Sequence, residues 1–276
     1  MRAAVRLNPE LTEAHYNLGS VHYALGNTKA AIESYRRAIE LQPRFPDARY
    51  RLALLLKLTS HPQDAARLLE DAALGGVPQA QYFLGNAYTH GHGVDKNPSL
   101  AIAWWAQAAR LGYQPASEAL SKLRRHALAS NQPERRRQEV LNAFRRYRLQ
   151  LWDEYPDLIR SDPDQSLGMT LLHDNRPAAG IAMLLAEAYA LSEAAQAELA
   201  RLYENGSDSE PAPYDSRILL CFETTAAEGF PPAQKALARI YAKGLGVSVN
   251  RAKALGLLKH LPKQDMRALI DELGLR

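Results

Sequence analysis

Residues 84–97 read LGNAYTHGHGVDKN, the stretch with the most suggestive chemistry in the chain. His90 and His92 flank Gly91, and Gly93, Asp95 and Lys96 follow. Three chemistries could use such residues. A tetrahedral metal site needs more ligands than a histidine pair at i, i+2, and no cysteine or third histidine stands near. A phosphate loop needs Gly-Lys-Ser/Thr after its glycines, and that sequence is absent. The third possibility is a turn between two helices. Glycines would supply positive φ, Val94 would tuck beneath the loop, and Asp95 would accept backbone amides. The same spacing returns in AKGLGVSVN (242–250) without a histidine, which favours the turn.

Other catalytic signatures are missing. The chain has no Gly-x-Ser-x-Gly, no His-Glu-x-x-His and no Ser-x-x-Lys. Its single cysteine, Cys221, lies in LLCFETTAAEG on an apolar helical face and reads as core. One cysteine allows no intrachain disulfide. The sequence therefore assigns no catalytic residue, no metal ligand and no cofactor, and an enzyme is the least supported class.

The elements that carry these residues follow from composition and periodicity. The 276 residues are 46% hydrophobic and 23% charged, ordinary values for a globular chain. No apolar run reaches 18 residues, so none reads as a transmembrane helix. The net charge is +4 but uneven: residues 122–148 hold nine Lys/Arg against two Glu, or +7, leaving −3 for the rest by difference.

Segments 12–43 and 46–76 match at a spacing of 34, pairing Tyr16 with Tyr50, Leu18 with Leu52, Ala31 with Ala65 and Ala38 with Ala72. In 12–43, Leu18, Val21 and Leu25 fall at helical spacing, as do Ala31, Tyr35, Ala38 and Ile39; Gly26-Asn27 separates the two runs. Each unit is a helix hairpin. A single hairpin cannot cover its own apolar stripe, so neighbouring units must stack.

With Leu18, Gly19, Gly26, Ala31, Tyr35, Ala38 and Pro43 in place, the segment resembles the tetratricopeptide repeat family. From residue 80 the pattern is similar to Sel-one-like repeats, carried by Leu84, Gly85, Tyr88, Gly91, Gly93, Val94, Ala101, Trp104, Ala108, Ala109, Gly112 and Ala116. Later copies run through 195–206 with 216–233, and through 233–260; a degraded unit spans 167–194. LPKQDMRALIDELGLR reads as a closing helix with a polar outer face. The resemblance implies an all-α, right-handed superhelix of about seven hairpins. It divides the chain into tetratricopeptide-type repeats (1–79), Sel-one-like repeats with an enlarged basic helix at about 133–155 (80–166), and Sel-one-like repeats ending in the closing helix (167–276).

Residues 2–11 match 36–45 at the same spacing of 34. They read as the second helix of a repeat whose first helix would precede residue 1. The missing signal peptide then carries little weight, and cytoplasm and periplasm both stay open.

The resemblance also implies a protein or peptide partner in a groove lined by first helices. The residues placed there are Tyr16, Asn17, Ser20 and Tyr23 in the first unit, Tyr50 and Lys57 in the second, and Tyr82 and Asn86 in the third. Tyrosine suits a contact surface through its area and its polar tip. Two readings stay open: a tyrosine row that binds, or tyrosines that only line the groove floor. Lys235 and Arg239 occupy corresponding places near the C-terminus and, with Arg201, suggest a basic second zone. The alternative partner is an anionic polymer, nucleic acid or an acidic surface, met by Arg135, Arg136, Arg137, Arg145, Arg146 and Arg148. Asn131 would cap that helix, and acids in DEYPDLIRSDPD would neutralise its arginines. The mixture of repeat types suggests a bacterial source.

Overall fold

The computed structural model describes residues 8–59, 61–129, 131–162, 165–205 and 213–275. Most of the expected helix at 2–11 lies outside them. Among the described residues every regular element is helical: fifteen α-helices, one 3-10 turn and no strand. The chain is an all-α repeat solenoid. It divides into two compact units, 1–120 and 121–276, with the division inside one helix, Gln114–Leu128.

The first unit holds α1 (Thr12–Ala24), α2 (Thr28–Leu41), α3 (Pro46–Leu58), α4 (Pro62–Leu74), α5 (Pro78–His90), α6 (Pro98–Arg110) and the start of α7 (Gln114–Leu128). Helices α1 to α6 pack on their sequence neighbours, as stacked hairpins must. Proline opens α3, α4, α5 and α6, where its fixed φ suits a first turn and its missing N–H costs nothing. Small residues set the spacing. A Cβ on Gly19 would lie 2.7 Å from the Tyr35 ring, and one on Gly85 would lie 2.5 Å from Trp105 Nε1. Trp105 in turn donates to the Tyr82 carbonyl at 3.2 Å. Ala31, Ala53, Ala72 and Ala80 are fully buried for the same reason: helices approach closely only over short side chains.

The loop 91–97 is a turn. Gly91 ends α5 in the left-handed region, with φ 75°. Asn97, not Asp95, binds the backbone: its Oδ1 accepts from Leu100 N at 3.2 Å and caps α6. Asp95 stays exposed, because the cap position belongs to the residue directly before the helix. The loop at 244–250 repeats this without histidine. Gly244 has φ 71°, Asn250 Oδ1 accepts from Lys253 N at 2.8 Å, and Asn250 N donates to Tyr241 O, as Asn97 N does to Tyr88 O.

The second unit holds the rest of α7, then α8 (Glu134–Gln150), a 3-10 turn (Leu151–Glu154), α9 (Leu167–His173), α10 (Pro177–Tyr189), α11 (Glu193–Asn205), α12 (Ser216–Ala227), α13 (Pro231–Lys243), α14 (Arg251–Leu258) and α15 (Lys263–Glu272). The basic helix is shorter than its expected span, because its last turn tightens to 3-10. Pro133, not Asn131, precedes its first residue; a residue before proline avoids the helical region, so the helix cannot start earlier. Phe144, Tyr147, Leu151 and Trp152 bury its apolar side.

One bond recurs in both units. Gln81 Nε2 donates to Ala73 O at 3.1 Å, and Gln234 Nε2 donates to Ala226 O at 3.2 Å, each reaching back eight residues into the preceding helix. Both glutamines are buried.

Candidate partner-binding groove

Helices α1, α3 and α5 bring the expected tyrosines to a run of aromatic contacts. Tyr16 lies 5.7 Å from Tyr35 and 5.0 Å from Phe45, ring to ring. Tyr50 stacks on Phe83 at 6.2 Å. Tyr82 meets Phe83 at 5.4 Å and Tyr113 at 5.5 Å, both edge-on. Tyr16, Tyr50 and Tyr82 are all half-buried, so each keeps an accessible part. Tyr23 is exposed and Asn17 half-buried. Ser20 is structural: its Oγ donates to Tyr16 O at 3.3 Å and takes the Tyr35 hydroxyl at 3.1 Å. Burial pushes the Tyr35 hydroxyl up, with Ser20 opposing.

Lys57, Tyr82 and Asn86 meet around one cavity of about 370 Å³, together with Phe83, His90 and His92. The Lys57 ammonium sits 5.5 Å from the Phe83 ring centre, within cation–π range. His90 Nδ1 donates to Asn86 O at 2.8 Å, which places the proton on Nδ1, since a carbonyl only accepts. The rings of His90 and His92 stack at 5.4 Å. Among the described residues no group of three or more His, Cys, Asp or Glu side chains is placed to hold a metal ion.

Arg51 is the residue that sequence reasoning missed. Its guanidinium lies 5.8 Å from the Tyr50 ring centre. A hydrogen bond with the Tyr16 hydroxyl is the main cause raising its pKa, against partial burial. The signal was its place directly after Tyr50, but helical spacing from the tyrosines drew attention to Lys57 instead. Phe83, directly after Tyr82, was missed for the same reason.

The arginines of the second unit are more spent than their count suggests. Arg124 is buried against Glu228. Arg135 pairs with Glu139 at 3.2 Å, and Arg137 with Glu134 at 3.0 Å. Arg146 Nε reaches its own helix at Asn142 O, and Arg148 donates to Ala190 O. Arg136 and Arg145 are exposed, and Arg145 too has an interaction partner. Of the acids after the helix, Asp157 pairs with Arg176 rather than with an arginine of α8. The basic second zone is also closed. Lys235 meets Asp265 at 2.8 Å, Arg239 meets Glu272 at 2.8 Å, and Arg201 meets Glu198 at 2.7 Å. Two acids of the closing helix, Asp265 and Glu272, reach onto α13 while staying partly exposed.

The Sel1 repeat family model matches residues 78–113, 193–217 and 231–259, and the tetratricopeptide repeat model matches 12–45. The chain carries both tetratricopeptide and Sel1 repeats. No curated protein matches it. Similar solved structures include a protective antigen of uropathogenic Escherichia coli with an SLR fold, at 18% identity and TM-score 0.41, covering 99% of this chain and 73% of that one. A Sel1 repeat protein from Oxalobacter formigenes is 20% identical, with TM-score 0.35 and coverage of 95% and 87%. The TPR2AB-domain of yeast Sti1, solved in a pHSP90 complex, is 15% identical, with TM-score 0.32 and coverage of 97% and 93%. Repeats of these two families are in general protein–protein interaction scaffolds, and such solenoids are typically non-catalytic. Among the described residues no helix is long and apolar enough to cross a membrane.

Proposed function

We propose that this repeat protein is a scaffold that takes an extended peptide or protein segment along α1, α3 and α5. The observation that carries the reading is the gathering of Lys57, Tyr82 and Asn86 around one cavity, from residues scattered over 30 positions of sequence. The cavity is walled by Leu69, Phe83 and Ala66 and bordered by the Lys57 ammonium and two imidazoles, and no carboxylate lines it. Such a lining suits an apolar or aromatic side chain of the partner, with an acidic group beside it. Arg51, Tyr16 and Tyr50 extend the same chemistry along the groove. Half-buried tyrosines lose little rotamer freedom on binding, which favours them as anchors.

The test is a pull-down from lysate of the source organism, read by mass spectrometry at low and high salt. Wild type is compared with the Tyr16/Tyr50/Tyr82→Ala triple variant. A partner lost in the variant but retained at high salt supports groove recognition. A partner retained in the variant but lost with salt moves the contact to the exposed arginines of α8 and overturns it.

A further inference from the structure

The polar groups around the Lys57 cavity narrow what it can hold. Helices α3, α4 and α5 and the loop 91–97 bound it. Its titratable lining groups are Lys57 from α3, Tyr82 and His90 from α5, and His92 from the loop; α4 contributes none. Among the described residues Lys57 pairs with no carboxylate, and its ammonium rests 5.5 Å from the Phe83 ring centre. One full positive charge therefore stands at the cavity without a counter-ion.

The donors and acceptors here are mixed. An ammonium only donates. The His90 ring commits its Nδ1–H to Asn86 O at 2.8 Å, so Nε2 of the neutral ring is an acceptor. His92 stacks on that ring at 5.4 Å and covers one face, which leaves its edge for a ligand. A head group at this place must accept from an ammonium and share a proton with an imidazole. An ionised carboxylate has no proton to share, and neither has a sulfate ester. A phosphate monoester has its second ionisation near pH 6 and carries about −1.5 to −2 charges at pH 7. It bonds with the shared proton either on oxygen or on Nε2.

Behind these groups the walls are apolar. Leu69 and Phe83 stand over Ala65, Ala66 and Ala87, whose short side chains leave depth for a ring. A volume of about 370 Å³ lies at the small end of ligand cavities and suits one side chain.

We propose that this cavity takes a phosphotyrosine side chain of the bound segment, with the phosphate on Lys57 and His90 and the ring against Phe83 and Leu69. The proposal rests on the groove reading above and names the occupant of this part of it.

The test follows the imidazole signals of His90 and His92 by NMR in the full chain at pH 7, identified through His90→Gln and His92→Gln. The probes are phenyl phosphate, phenyl sulfate and inorganic phosphate. Phenyl phosphate should shift the His90 signals with saturation. The sulfate, of the same shape but lacking the proton and the second charge, should bind at least about tenfold more weakly, a difference of about 1.4 kcal/mol. Inorganic phosphate, lacking the ring, should do the same. Lys57→Gln should weaken phenyl phosphate by a similar factor. Lys29→Gln removes the same charge from α2, outside the cavity, and should leave binding intact. Both lysines are exposed, so neither change threatens folding. Equal binding of the sulfate or of inorganic phosphate overturns the phosphotyrosine proposal and leaves groove recognition standing. An equal loss from both lysine variants overturns it too. No shift with any probe overturns it and removes this cavity from the groove reading as well.

Discussion

Arg124 and Glu228 stand 104 residues apart and close a buried, two-pronged ion pair, with Nε to Oε2 at 2.5 Å and Nη2 to Oε1 at 2.7 Å. Their side chains are 5% and 2% exposed. The Tyr189 ring lies 5.6 Å from the guanidinium, and its carbonyl accepts from Nη1 at 3.5 Å. Removing one partner strands a charge in the core. Arg124→Ala or Glu228→Ala should each cost about 3–5 kcal/mol, and the paired Arg124→Met/Glu228→Leu change should recover much of that. Urea unfolding measures it; a loss in the paired variant equal to the sum of the two single losses would show that the pair is not coupled.

Cys221 packs beside this pair. Burial pushes its thiol up to about 12, with Arg124 opposing and Glu228 adding. At pH 8 the reactive thiolate is then about one part in ten thousand. Iodoacetamide should leave the native chain unmodified at pH 8 and alkylate it once urea unfolds it. Rapid labelling of the native state would contradict this.

Two glycines should answer oppositely to alanine. A Cβ at Gly85 meets Trp105, itself held by the Tyr82 carbonyl, so Gly85→Ala should cost about 1–3 kcal/mol by overpacking. Gly256, inside α14, has nothing within 4 Å of an added Cβ. Gly256→Ala should gain about 0.5–1 kcal/mol from helix propensity. Thermal melts of both variants give the signs.

The pair closing α15 on α13 sets a pH dependence. The Arg239 guanidinium lowers the pKa of the Glu272 carboxyl. A lowered carboxyl contributes stability above its unfolded value, and that contribution is lost as pH falls through the folded one. Both side chains are roughly two-fifths exposed, so solvent screening limits the effect to about 0.2–1 kcal/mol. Glu272→Gln should lower stability at pH 7 by that amount and change nothing at pH 2. Denaturation midpoints at the two pH values decide it.

Much of the fold was legible in the sequence, because repeats report their own period. The hairpins, the small residues at Gly19, Gly85 and Ala31, the loop at 91–97, the short pair α9–α10 and the closing helix all follow from residue type and spacing. Charge was harder to read. Arg124 counts as a surface cation in a basic run, yet its partner is the residue directly after α12, and no local pattern announces a contact over 104 residues. Lys235 and Arg239 were similarly bound to the closing helix. In the groove, periodicity found Tyr16, Tyr50 and Tyr82 but not Arg51, whose reach to Tyr16 depends on side-chain length rather than on register.

The buried glutamines carry a wider meaning. Gln81 and Gln234 both grip a main-chain carbonyl, at Ala73 and Ala226. A main-chain carbonyl is present whatever residue stands there, so each grip is blind to the identity of its target. The outward residues of α4 and α12 can therefore drift in type and charge without disturbing the seam to the next helix. At these two joints the seam is held through the main chain while the surface beside it stays open to change.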